Sequence, residues 1–182
     1  MPNAMPDPMS SPASTPENPI ALRPIGYFQT PHTDEKHMPI QPSGARGVPG
    51  AILVLPEYRD GLADLEGFSH LIAIYHLHRV RGHALRVTPF LDTEEHGVFA
   101  TRSPKRPNAL GFSVLAIAGV EGGVVRVENV DMLDGTPVLD IKPYVPDFDV
   151  WPAGRIGWFA GRSGRAETHR SDGRFAEPGD KE

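Results

Sequence analysis

The chain of 182 residues has no cysteine. A disulfide framework, a thiolate metal site and a cysteine nucleophile are therefore excluded, and with them a stapled secreted mini-domain and a zinc finger. A reduced, cytoplasmic setting is the expectation. Long apolar runs are missing too: the longest, Leu71 to Leu77 with His76 inside it, is far short of the ~20 residues of a membrane-spanning helix, so no membrane partner is expected. The first residues carry Asp7 and repeated prolines, where a secretory signal would show a basic patch and an apolar core. There is no G-x-G-x-x-G after a strand, no phosphate loop ending in Gly-Lys-Ser/Thr and no G-x-S-x-G nucleophile elbow, which argues against a dinucleotide-binding or doubly wound nucleotide fold. Excess positive charge is also lacking. With 18 Lys and Arg against 23 Asp and Glu the net charge is -5, which argues against blanket nucleic-acid binding and leaves room for a local basic patch.

What the chain has in quantity is proline and glycine, 20 and 19 residues, and they punctuate it. Residues 1–19 alternate proline with small polar residues and read as a disordered arm. Residues 20–152 form the expected domain. Residues 153–182 are an extension in which Phe175 is the one large apolar residue after Ser163, so its end should be mobile or draped on the surface. Before that, Trp151, Ile156, Trp158 and Phe159 supply aromatic surface enough to dock on the domain or on a second subunit.

Inside the domain, short runs rich in Val, Ile, Leu and Phe predict strands at 25–29, 51–55, 69–78, 85–88, 97–101, 112–120, 124–130 and 138–141. Gly122-Gly123 joins two of them as a hairpin, because positive φ costs glycine little. One short helix is expected between Arg59 and Phe68, capped by Asp60, with Leu62 and Leu65 facing inward. The fold class is mainly β: a small closed or partly closed barrel with few short helices. Gly44, Gly47 and Gly50 read as a mobile loop.

Two histidines, His76 and His78, flank Leu77 in a predicted strand and would share a face. They could hold a metal, but no third ligand stands at a telling spacing, and no metal is expected. Two blocks are more informative. In GVFATRSPKRPNALGFSV, Arg102, Lys105 and Arg106 cluster in a loop stiffened by Pro104 and Pro107, suited to holding a carboxylate or phosphate. With Arg79, Arg81 and Arg86 they form a positive band, as contact with a polyanion requires; Arg81, Arg86, Lys105 and Arg106 are the candidate nucleic-acid contacts. In NVDMLDGTPVLDIKPYVPDFD, Asp131 and Asp134 frame a turn, and Asp140 and Lys142 share a strand face. Such a turn is either plain architecture or a cradle for an adenine edge.

These blocks, together with PIGYFQTPH, MPIQP and LEGFSHLIAIYHLH, resemble the TsaA-like, or TrmO, family of tRNA methyltransferases from about Pro24 to Asp149. The resemblance implies an S-adenosylmethionine-dependent methyltransferase built on a β-barrel, acting on threonylcarbamoyladenosine beside the anticodon of tRNA, and a homodimer with the cofactor near the subunit interface. It carries cofactor-binding roles onto Ile40, Gln41, Pro42, His78, Arg79, Arg102, Gly111, Phe112, Leu133, Asp134, Gly135, Thr136 and Pro137. Ile40 stands where the enteric branch has an arginine, and Arg79 also departs from the enteric proteins. The extra C-terminal domain of enteric members is not expected here.

Methyl transfer needs in-line approach more than acid–base help, but a carbamoyl-bearing nitrogen is a poor nucleophile. Asp131 or Asp140 is therefore a candidate to take or orient its proton, with Lys142 stabilising developing negative charge. Both aspartates can equally be structural partners of Lys142 or of turn amides. The alternatives to a tRNA enzyme are a sensor module binding S-adenosylmethionine or a nucleotide, and a small-molecule methyltransferase.

Overall fold

The computed structural model describes residues 20–175; the proposed N-terminal arm and the last seven residues lie outside the described region. Six antiparallel strands close into a barrel: β1 (Gly26–Gln29), β2 (Pro49–Val54), β3 (His70–His76), β6 (Leu110–Glu121), β7 (Val124–Glu128) and β8 (Pro137–Pro143), in the spatial order β1-β2-β7-β6-β3-β8. Two residues each of β4 (Arg86–Val87) and β5 (His96–Gly97) pair as a separate ribbon. Closure pairs every main strand on both sides, so no edge is left open.

Alternation builds the core. Phe28, Ile52, Leu71, Ala73, Leu115, Val125, Val127 and Val138 point inward and are buried, while their strand neighbours face outward, as a period of two dictates. The turn between β6 and β7 falls at Gly122 and Gly123, with φ of 60° and 86°, the hairpin predicted from the sequence.

Four expectations are corrected. The strand expected at 97–101 is a 3-10 turn over Val98–Ala100. Its carbonyls bond to side chains instead of a neighbouring strand: Thr101 Oγ1 and Arg106 both donate to Val98 O, and Arg106 donates also to Thr101 O. The helix expected near residue 60 is two 3-10 turns, Pro56–Leu62 and Leu65–Gly67. Asp64 lies between them with a left-handed φ of 67°, which interrupts the i→i−4 ladder; Asp60 caps nothing there, although Leu62 and Leu65 are buried as expected. Gly50 sits inside β2 and not in a loop: a Cβ there would meet Val130 Cγ1 at 2.6 Å, so glycine is what lets strand and loop approach. Finally, β3 ends at His76, and His78 occupies the turn beyond it, so the two do not share a strand face; among the described residues no cluster able to hold a metal ion occurs.

An irregularity in β8 decides which side chains face the interior. Tyr75 pairs with Val138, but Ile74 pairs with Asp140, so Leu139 is an extra residue. A bulge of this kind exchanges the two faces of a strand. Val138 is buried before it and Ile141 packs on the core after it, which turns Asp140 and Lys142 outward.

Candidate active site

At one end of the barrel the loops after β1, β3, β4 and β5 and the loop before β8 line a cavity of about 790 Å³, within the range of small-molecule sites. Its lining is mainly apolar, including Met38, Leu77, Phe90, Phe112, Met132 and Leu133, with Gln41, Arg102, Asp131 and Thr136 as polar points.

The polar chemistry converges on Asp131, just after β7. β7 ends at Glu128, and Asn129 turns the chain with a φ of 71°, so that Val130 and Met132 enter the core and half-buried Asp131 lines the cavity between them. Its Oδ1 accepts from Ser113 Oγ at 2.7 Å, and Ser113 Oγ bonds the Tyr75 hydroxyl at 2.9 Å. The Tyr75 ring packs edge-on against Phe28 at 5.7 Å and lies directly over Gly111, where a Cβ would overlap the ring. Burial pushes the Asp131 carboxyl up to about 7, against the opposing pull of the Ser113 hydrogen bond and the Arg102 charge. Burial and the neighbouring Asp131 also raise the Tyr75 hydroxyl far above its ordinary range, so the tyrosine stays a neutral donor. The result is a carboxylate poised to gain or lose a proton near neutral pH on a stiff, buried support.

Arg102 donates to Gln41 Oε1 at 2.7 Å, tying the loop after β1 to the basic loop. Arg79 donates to Thr33 O at 3.4 Å. Burial, then Arg79 and His76, lower the His78 pKa, which favours its neutral ring; its Nδ1 lies 3.5 Å from Thr136 Oγ1. The turn at 134–136 is sewn onto β1: Asp134 N donates to His32 O, Gly135 N to Phe28 O and Phe28 N to Thr136 O. The Asp134 carboxylate accepts from Thr30 N at 3.0 Å, and Gly135 has a φ of 72°, so this turn is held by its own backbone pattern.

Of the residues assigned to the cofactor from sequence, Ile40, Gln41, His78, Arg79, Arg102, Gly111, Phe112, Leu133 and Thr136 line the cavity. Pro42, Asp134, Gly135 and Pro137 are outside the lining and adjoin the lining residues Gln41, Leu133 and Thr136 in sequence. Asp140 and Lys142 are not part of it; they pair with each other at 2.7 Å on the outer surface. Among the candidate nucleic-acid contacts, Arg81, Arg86 and Lys105 meet at a neighbouring shallow depression. There Arg86 pairs with Glu95 and Lys105 Nζ donates to Arg81 O. Arg106 instead turns to the carbonyls of Val98, in the 3-10 turn, and of Thr101, just after it. Sequence reasoning missed Tyr75 and Ser113. The signal was present: a serine at an inward position of β6, and a glycine facing a tyrosine across the ladder.

S-adenosylmethionine needs a purine slot, a partner for its carboxylate and a surface tolerant of a sulfonium. The open aromatic face of Phe112, the apolar walls of Met38, Leu77 and Leu133 and the guanidinium of Arg102 meet those needs, so the residues present fit the group.

Residues 27–150 match the family described as tRNA-methyltransferase O N-terminal domain. The chain is 49% identical over 156 residues to a probable S-adenosyl-L-methionine-binding protein of Pyrococcus abyssi, covering 86% of this chain and 85% of that protein. It is 40% identical over 140 residues to the tRNA (adenine(37)-N6)-methyltransferase of Mus musculus, covering 71% of this chain and 32% of the mouse protein. In structure it is similar to TrmO from Pseudomonas aeruginosa, with a TM-score of 0.65 and 35% identity over 78% of this chain and 63% of that one. A barrel holding a cavity of this make-up, with this sequence match, defines a methyltransferase domain outside the Rossmann class. The chain belongs to the tRNA-methyltransferase O N-terminal domain family.

Proposed function

We propose that the protein is an S-adenosylmethionine-dependent methyltransferase that modifies the exocyclic nitrogen of an adenine in tRNA, with threonylcarbamoyladenosine beside the anticodon as its target. The observation that carries this reading is the Tyr75–Ser113–Asp131 chain reaching the wall of an apolar cavity next to Arg102, in a member of this family.

When bound, the cofactor supplies an electrophilic methyl group. Arg102 and Gln41 would hold its carboxylate end, and the aromatic lining would take the purine. Asp131 would face the incoming nitrogen and take its N–H proton, while the methyl group would leave the donor's sulfur, which becomes a neutral thioether. A carboxylate with a pKa near the working pH is suited to that task, and Ser113 fixes its orientation while Tyr75 fixes Ser113. The apolar walls keep water away from the reacting atoms and strengthen the charge interactions inside. The depression formed by Arg81, Arg86 and Lys105 opens beside the cavity and shares Phe175 with it, a position suited to the RNA backbone. A cytoplasmic homodimer belongs to the same reading: Leu110 and Phe112 are exposed at the cavity, an apolar rim that a second copy would cover.

Calorimetric titration with S-adenosylmethionine tests the reading. Parent protein is expected to bind one molecule per chain, and Arg102→Ala to bind about 10- to 100-fold more weakly, the loss of charge-assisted hydrogen bonds. Unchanged affinity in the variant would remove Arg102 from the site.

A further inference from the structure

The family match ends at residue 150, yet part of the cavity wall comes from beyond it: Ile156, Trp158, Phe159, Ala166, Ser171 and Phe175 all line the cavity. Among the described residues this segment makes no strand of the barrel and adds nothing to the hydrophobic core. Specific contacts hold it at both ends.

The first set is around Trp158. Its ring stacks on His96 at 4.7 Å with 12° between planes and on Phe159 at 3.8 Å with 25°, and its Nε1 donates to Ala100 O at 2.8 Å. One turn on, Arg162 pairs with Asp92 at 3.1 Å. The Asp92 side chain is only 5% exposed and bonds His96 Nε2 at 3.0 Å as well, so one buried carboxylate joins the segment to the ribbon loop. The second set closes the far end. Ser171 N donates to Met38 O, His37 N donates to Ser171 O, and Met38 N donates to Ser171 Oγ. Arg170 bridges Pro39, and Phe175 packs edge-on against Phe90 at 5.0 Å. The loops gripped, at 37–39, 89–92 and 100, either line the cavity or adjoin residues that do.

We propose that the segment from Ile156 to Phe175 is a wall of the methyl-donor cavity supplied by the same chain, latched by Trp158 and Arg162, and that it sets how long the donor stays bound. The proposal rests on the reading that this cavity takes S-adenosylmethionine. Two separated latches joined by a segment with little packing of its own can release without disturbing the barrel, and burial of the donor against the aromatic wall is lost when they do. Affinity differences of this origin appear in the off-rate.

The test is S-adenosylmethionine binding by calorimetry, and its dissociation by chase of the radiolabelled donor with unlabelled donor, on full-length parent, Arg162→Ala and Trp158→Ala/Arg162→Ala, each with a melting curve. Arg162→Ala removes a side chain 40% exposed, so the fold should be untouched, and affinity should fall about two- to fivefold. The double variant should bind at least about tenfold more weakly, through faster dissociation. Parent-like affinity and off-rate in both variants would overturn the wall and leave the donor site standing. No binding by the parent would overturn both together. If the double variant melts early, Arg162→Ala decides alone.

Discussion

Replacing Asp131 by Asn removes the ionisable group while keeping its shape and its acceptor for Ser113 Oγ, now 2.7 Å from Oδ1. In the folded protein burial has moved this carboxyl from 3.8 to about 7, whereas in the unfolded chain it ionises near its ordinary value. The folded state thus binds a proton that the unfolded state has released, so this group's contribution to stability is greatest at low pH and declines as pH rises from about 4 through about 7. At 1.36 kcal/mol per pKa unit the decline is about 4 kcal/mol, and nearer 2 kcal/mol where cavity water solvates the carboxylate. Urea unfolding of parent and Asp131→Asn between pH 4 and 8.5 reads this directly. The two should be close at pH 4, and the variant should be the more stable by the stated amount at pH 8. Activity should move the other way. With no group to take the proton, kcat should drop about 100-fold or more, and the parent's rise in kcat with an apparent pKa near 7 should vanish. A variant with parental activity, or with the parental dependence of stability on pH, would refute the argument from buried charge.

Gly111→Ala places a methyl in space that the Tyr75 ring already fills; an overpacking cost of about 1–3 kcal/mol should appear as a lower Tm, together with slower methyl transfer as the ring moves off Ser113. Asp140→Asn and Lys142→Met break a pair whose side chains are 44% and 58% exposed, so stability should change by less than about 0.5 kcal/mol and activity should hold; a fall in activity would restore them to the mechanism. Arg81→Ala with Lys105→Ala should weaken tRNA binding without altering donor affinity, and should make the slope of log K against log salt shallower by about 0.7 for each phosphate no longer neutralised.

Much of the barrel could be read from local pattern, because inward and outward residues alternate along β1, β3 and β7 and two glycines turn β6 into β7. What escaped depends on groups distant in sequence. Val98–Ala100 has the composition of a strand, but Thr101 N closes a 3-10 turn on Val98 O, a carbonyl that also accepts from Thr101 Oγ1 and from the distant Arg106. Asp131 and Asp140 look alike in sequence; the extra residue at Leu139, visible only in the pairing of β3 with β8, sends one outward while the other meets Ser113. Gln41, Arg102 and Thr136 were named from family resemblance and do line the cavity. Tyr75 and Ser113 were not named, since each reads as an ordinary strand residue until the ladder sets them side by side. The segment from Ile156 to Phe175 carried its aromatic surface openly, but its seat on the cavity follows from contacts with loops more than 50 residues away, Trp158 to Ala100 among them.

The most direct test of the central claim is transfer of a labelled methyl group from S-adenosylmethionine to tRNA bearing threonylcarbamoyladenosine, with the nucleoside identified by digestion and mass spectrometry. Label is expected on the exocyclic nitrogen of that one adenine with parent protein, and almost none with Asp131→Asn. Binding of S-adenosylmethionine without transfer to any tRNA, or equal transfer by the Asp131→Asn variant, would contradict it.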